Sequence, residues 1–170
     1  MDGKYTLKFK KEGSETVKDS FSEWGIVCCS VPFKAGRKTK QLASRNWHDA
    51  DGEDTYIPSQ LMLEAYDAEF EMAYHGEELS SNGFNLSKCF QAMESFGKWL
   101  SGDGDEGASL SIYSPYSTIG RQGCYLLEIG SEEPCVMLKQ TEGNLYNENI
   151  VTFKVKFRVT DPVTDITLSV

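Results

Sequence analysis

Asn85 to Leu100 reads NLSKCFQAMESFGKWL. Leu86, Cys89, Phe90, Met93, Phe96, Gly97 and Leu100 recur at helical spacing and form one apolar stripe. Asn85 is placed to cap that helix through its side chain, and Phe84 before it to staple against Cys89. The helix ends near Leu100, because Ser101-Gly102-Asp103-Gly104-Asp105-Glu106-Gly107 cannot continue it. Elsewhere the pattern is that of strands. A single helix among strands has to lay its stripe on a sheet. The expected fold is mainly β with one helix (α+β): a β-sandwich or small barrel-like pair of sheets flanked by a single α-helix at about 86–100.

Two stretches alternate cleanly. Tyr66, Ala68, Phe70, Met72 and Tyr74 share one face, while Asp67, Glu69, Glu71 and His75 share the other. That is a strand with one buried and one acidic, solvated side. A helix over Pro58 to Tyr74 would scatter those charges over too many faces. Val151, Phe153, Val155, Phe157 and Val159 alternate with Thr152, Lys154, Lys156 and Arg158. Asp161-Pro162 interrupts this last strand, and Ile166-Thr167-Leu168 is placed to resume its pairing. Tyr5–Lys10, Phe21–Val31, Leu110–Tyr113, Cys124–Ile129 and Val136–Leu138 read as further strands or apolar stretches.

Between Phe33 and Pro58 the core pattern lapses. Lys34 to Asp54 is basic at first and acidic later, with few aliphatic residues. A connection of this length is a projecting loop or hairpin, and such segments carry contacts to partners. Trp47 and Tyr56 within it either staple the segment to its own domain or anchor a partner. Lys34, Arg37, Lys38, Lys40 and Arg45 form a basic string. A solvated or subunit-contacting face explains that string better than nucleic acid does, because aromatic interleaving is sparse.

Composition bounds the reading. At 170 residues, 39% hydrophobic and 25% charged, the chain suits one domain over 1–170. Residues 46–150 hold 19 Asp and Glu against 4 Lys and Arg, which argues against a nucleic-acid footprint over the whole domain. No apolar run approaches the roughly 18 residues of a membrane span, and the start of the chain lacks a signal-peptide core. The expected site of synthesis is a cytoplasm. Cys28, Cys29, Cys89, Cys124 and Cys135 show no C-x-x-C spacing and read as small reduced apolar residues.

Catalytic and metal patterns are weak. His48 with Asp49, Asp51, Glu53 and Asp54 is similar to the opening of a calcium loop, but the closing Glu is missing at its offset. His48 and His75 lie in unrelated contexts, without a nucleophile motif or metal-ligand spacing. The expectation is no enzyme, no metal and no cofactor.

The order of elements resembles the tail-tube and distal-tail family of long-tailed bacteriophages. The matching features are the N-terminal strands and the long polar segment ending Gly52-Glu53-Asp54-Thr55-Tyr56-Ile57-Pro58. The acidic strand Tyr66–Tyr74 follows, then the helix ending Phe96-Gly97-Lys98-Trp99-Leu100. After these come Ser109-Leu110-Ser111-Ile112-Tyr113, Arg121-Gln122-Gly123-Cys124-Tyr125-Leu126 and Phe153-Lys154-Val155-Lys156-Phe157. The resemblance covers most of the chain through element order, although the glycine-rich loop motif is reduced here to Gly52. It implies a virion tail protein made in a host bacterial cytoplasm, without enzymatic activity. Copies associate into a ring, six in the family, beside neighbouring tail proteins. DNA only passes through the lumen, and no membrane is involved. Tail-tube, distal-tail and connector roles stay open. The expected subunit contacts are Arg37, Lys38, Lys40, Arg45, Trp47 and Tyr56 on the long segment, meeting Asp67, Glu69 and Glu71 of the next copy. The alternatives are a small β-rich module binding a peptide or glycan through the aromatic loop, and an enzyme of another kind.

Overall fold

The computed structural model describes residues 5–30, 33, 38–75, 86–104, 107–141 and 144–169. Along them run β1 (Lys8–Lys11), β2 (Val17–Asp19), α1 (Ser20–Trp24), β3 (Ile26–Cys28), β4 (Ser44–Arg45) and β5 (Asp54–Thr55). Then follow β6 (Tyr66–His75), α2 (Leu86–Ser101), β7 (Leu110–Ser114), β8 (Ile119–Thr141) and β9 (Asn144–Val159). Seven strands form one antiparallel sheet in the order β2-β1-β7-β8-β9-β6-β3, and β4-β5 form a second. The mainly β, α+β architecture is the one the sequence indicates.

α1 splits the apolar stretch Phe21–Val31. The Asp19 carboxylate accepts the Phe21 and Ser22 N–H groups, each at 3.0 Å, and so starts a helical turn. Gly25, at φ 68°, ends it in the left-handed conformation. This short element has a large consequence. β2 and β3 are the two edges of the sheet, yet only α1 and Gly25 separate them. Edges of a flat seven-stranded sheet stand roughly 29 Å apart at the usual strand spacing. The link reaches about 25 Å at most when fully extended, and far less when helical. The sheet therefore curls until its ends meet. The Cys28 N–H at the end of β3 donates to the Tyr5 carbonyl just ahead of β1 at 2.7 Å, while Leu7 and Ser20, with bonds of 3.0 and 2.9 Å, carry the β1–β2 pairing one step past Lys8↔Asp19. Phe9 of β1 lies 6.1 Å from Phe157 of β9, ring centre to ring centre, although β7 and β8 intervene in the sheet.

The inside of the curl is the core. Phe9, Phe70, Met72, Ile112, Phe153, Val155, Phe157 and Val159 line it, as alternation requires. α2 closes it with Cys89, Phe96 and Leu100, and with Met93 and Trp99 half-buried. Phe96 meets Phe9 edge-on at 5.6 Å and Trp24 at 5.0 Å. A Cβ on Gly97 would stand 3.3 Å from Ile129 Cγ2, so the glycine sets how closely helix and sheet approach. Phe90 corrects the predicted stripe: it is 43% exposed. One residue past Cys89, it is turned about 100° round the helix, onto the flank. The expected cap Asn85, the staple Phe84 and the loop at 76–83 lie outside the described residues.

β8 corrects a second reading. Cys124–Ile129 and Val136–Leu138 belong to one strand, paired with β9 as far as Thr141↔Asn144. Between Gly130↔Lys154 and Cys135↔Thr152 three extra residues bulge from β8, which accommodates Pro134 without ending the strand. After Val159 the chain leaves the sheet and pairs again at Arg121↔Asp165.

Two polar features hold these parts together. Lys11 is 1% exposed on the inner side of β1. Its Nζ donates to the Trp99 and Gly107 carbonyls, both at 2.6 Å, and stands 4.6 Å from the Trp99 ring centre. It adds a second, charged donor to the Trp99 carbonyl, which also accepts the Gly102 N–H at 3.1 Å, and it ties the end of α2 to Gly107 beyond the helix. Asp161 shapes the excursion after β9. Its carboxylate accepts the Thr164 and Val163 N–H groups at 3.1 Å and Gln122 Nε2 at 3.0 Å. The bond from Thr164, then the others, hold this carboxyl well below the usual range.

Lys11→Met keeps the stem and loses the charge-assisted bonds. Urea denaturation is expected to show it about 2–3 kcal/mol less stable than wild type; an unchanged midpoint would mean that water replaces the ammonium. For Asp161 the folded pKa is depressed, so its stabilisation is complete above the unfolded value of about 3.9, declines below it, and is gone only once pH has fallen through the depressed folded value. Asp161→Asn should therefore melt below wild type at neutral pH, and the gap should narrow progressively as pH falls below about 3.9. A gap that stays constant on acidification from neutral pH to about pH 2 would assign the loss to packing.

Candidate subunit interface

Residues 38–64 leave the barrel as a hairpin arm. At its root Thr39 pairs with Leu63, the Lys40 N–H donates to Met62 and the Glu64 N–H to Lys38, both at 2.8 Å. Farther out Ser44 faces Thr55 and Arg45 faces Asp54. The return strand spends three more residues than the outgoing one between these two sets of pairs, around Pro58. Beyond Arg45 the tip turns through Trp47–Ala50 and Gly52, whose φ of 81° suits glycine.

A two-stranded hairpin has no interior, and this one carries large apolar side chains. Tyr56 is 81% exposed, Ile57 73%, Met62 61%, Trp47 51% and Leu61 44%. Neither Trp47 nor Tyr56 belongs to the core cluster or stacks on another ring among the described residues. Of the two readings open for these aromatics, stapling to their own domain finds no ring contact or core membership to support it among the described residues. Charge is segregated along the arm. The root carries Lys38 and Lys40 with Glu64, Lys38 Nζ pairs with Glu64 at 2.9 Å, and Arg45 lies farther out across from Asp54. The tip carries exposed Asp49, Asp51, Glu53 and Asp54. Arg37 lies outside the described residues.

The arm and the acidic face of β6 are thus separate features. Asp67, Glu69 and Glu71 do point outward, but β9 answers the first two within the same sheet. Asp67 takes Arg158 at 2.7 Å and Lys156 at 3.7 Å; Glu69 takes Lys154 at 3.3 Å. The Arg158 hydrogen bond holds the Asp67 carboxyl below its usual range. Alternation within β6 and β9 made both rows visible in the sequence; only their pairing, Asp67↔Arg158 and Glu69↔Lys156, brings the charges together. The face is mixed in charge instead of acidic. Tyr125 and Leu127 of β8, 42% and 44% exposed, are apolar side chains at the surface that the sequence reading passed over.

Chemistry elsewhere is sparse. Burial pushes the thiols of Cys28 and Cys89 up to about 11 and that of Cys124 to about 12, away from the thiolate a nucleophile needs. Among the described residues no three His, Cys, Asp or Glu side chains converge on a metal position, and no helix is long and apolar enough to cross a membrane. A groove of about 590 Å³ runs between α2 and β8, lined by Phe90, Met93, Gly97 and Ile129.

No family model and no curated protein matches the chain. Among solved structures it is similar to SPP1 Dit (gp 19.1), described as a paradigm of the hub adsorption apparatus in phages infecting Gram-positive bacteria. The TM-score is 0.55 at 11% identity, over 92% of this chain and 50% of that one. The likeness is one of fold, and the chain spans about half the length of that protein.

Exposure makes a direct prediction. Trp47→Ala and Tyr56→Ala should each leave the thermal stability of the isolated protein within about 0.5 kcal/mol of wild type, as surface substitutions do. A loss of several kcal/mol, read by thermal denaturation, would place the ring in a core contact.

Proposed function

We propose that this chain is a non-enzymatic structural protein of a phage or prophage tail, of the distal-tail type, which self-associates into a ring through its arm. The observation that carries the reading is the arm: five large apolar side chains exposed on a two-stranded hairpin. Side chains of this kind seek cover from water, and a neighbouring copy supplies it in a closed assembly. The Dit-like fold supports the tail assignment, because the neighbour is a component of a phage adsorption hub.

In this reading Trp47 and Tyr56 supply much of the affinity, as buried aromatics do at interfaces, while Lys38, Lys40 and Arg45, with Arg37, set register and encounter rate. Six copies around a lumen that DNA crosses is the arrangement the family resemblance implies. Neighbouring tail proteins then stack on the ring. An acidic lumen would let DNA slide without sticking.

Replacing residues 41–61 with an Asn-Gly turn tests this. Lys40 and Met62 remain across from each other, so a two-residue hairpin closes without disturbing the root. The shortened protein should keep its melting temperature, but fail to enter tails in cells making the particles, as scored by electron microscopy and tail composition. Normal tails containing the shortened protein would overturn the proposal and favour a peptide- or glycan-binding module.

A further inference from the structure

We infer that the acceptor for the arm is the root of the arm on the next copy, with the acidic tip of one lying over the basic root of the other. The inference rests on the proposal that the arm mediates self-association, and it names the docking surface.

Charge carries it first. The tip holds four exposed carboxylates and no Lys or Arg from Asp49 to Asp54. Among the described residues none of the four is in an ion pair. The root holds Lys38 and Lys40 against the single Glu64, which pairs with Lys38 at 2.9 Å, so it keeps a net positive charge; Arg45 lies farther out, across from Asp54. The outer sheet face is a poorer acceptor. Lys154, Lys156 and Arg158 are engaged there by Glu69 and Asp67, and Glu71 and Glu128 add further negative charge. An acidic tip approaching that face meets more carboxylates than cations.

Apolar surface follows the same layout. Trp47 stands beside the tip carboxylates, and Leu61 and Met62 stand beside Lys40 at the root. A tip-on-root contact covers an aromatic anchor with aliphatic side chains while it pairs opposite charges, so one docking removes both kinds of exposed surface. The tip cannot reach its own root, because β4 and β5 hold the arm extended between them. Donor and acceptor therefore lie on different copies. Since the two patches differ, the contact is heterologous and propagates from copy to copy until it closes.

Carbodiimide cross-linking, which joins an amine to a carboxylate in contact, tests this on an equal mixture of isotopically light and heavy full-length protein at high concentration. Mixed-isotope peptides linking Lys38 or Lys40 to the tip carboxylates are expected, and they should disappear in about 1 M salt. The variants K40E and D49K/D51K/E53K should each lower these links about tenfold when alone, and regain mixed-isotope links between tip and root when mixed in equal parts, because each tip again meets a root of opposite net charge. Mixed-isotope links from the tip to Lys154 or Lys156, or a loss that mixing does not restore, would overturn this acceptor and leave the arm reading standing. Absence of any mixed-isotope link from the arm would overturn the acceptor, and normal tails from the arm-less protein would remove the arm reading as well.

Discussion

Six residues between Asp19 and Ile26 constrain the rest of the molecule. They join strands that the hydrogen-bond order places at opposite ends of a seven-stranded sheet. No flat sheet can satisfy that link, so the sheet rolls, and rolling brings β1 and β9 side chains together across the interior. It also draws toward each other the two edges that a flat sheet of this size would hold far apart. Among the described residues the Cys28 N–H to Tyr5 carbonyl bond crosses between the β3 end and the β1 end. What keeps it closed is the aromatic core behind it, in which Trp24 of α1 contacts both Phe96 and Trp99 of α2. Helix and seam are thus one cooperative unit. α2 can lie on the sheet only where the sheet has curled, and the curl is covered only when α2 is in place.

Lys11 shows how a charge can belong to such a unit. Parity puts it on the inner side of β1 with Phe9, where a leucine would be ordinary. The end of α2 arrives just there with the negative end of its dipole, and the Trp99 carbonyl and ring face receive the ammonium. The position thus ties the first strand to the end of a helix some ninety residues later in the chain. An apolar residue would fill the space but supply neither charge-assisted bond.

Much of this was legible locally. The α2 stripe, the two faces of β6 and β9, and the break at Asp161 with pairing resumed just beyond it follow from periods of 3.6 and 2 and from turn chemistry. What was missed depends on distant parts. Phe90 matches the stripe in sequence, yet the sheet covers a narrower arc that runs through Cys89, Met93 and Phe96. Gly130 and Pro134 look like punctuation, but β9 is long enough to carry β8 past them on a bulge. Asp19 and Gly25 did announce α1, as a cap and a left-handed end six residues apart, inside a stretch whose hydrophobicity reads as strand. For the arm, the sequence showed its length, its aromatics and its charge order. It could not show that Asp67 and Glu69 find Arg158 and Lys154 in their own sheet, because register across β6 and β9 is a non-local fact.

That neutralised face changes where recognition can reside. With sheet ends closed on each other and the acidic row matched by a basic row, the barrel offers a partner few unmatched groups. The arm is the opposite. Its strands are only two residues long, and each keeps an outer edge without a neighbour among the described residues. Such short edges, bearing Arg45 and Asp54, are poor templates for strand addition, which protects the free protein from indiscriminate edge pairing. Selectivity is left to side chains: rigid aromatics for contact area and segregated charge for direction. Charge alone at an exposed surface contributes little affinity and is weakened by salt. Aromatic surface alone would bind in any orientation. Only their fixed order along one extended hairpin distinguishes tip from root, and that order gives an assembly built from identical copies a direction in which to close.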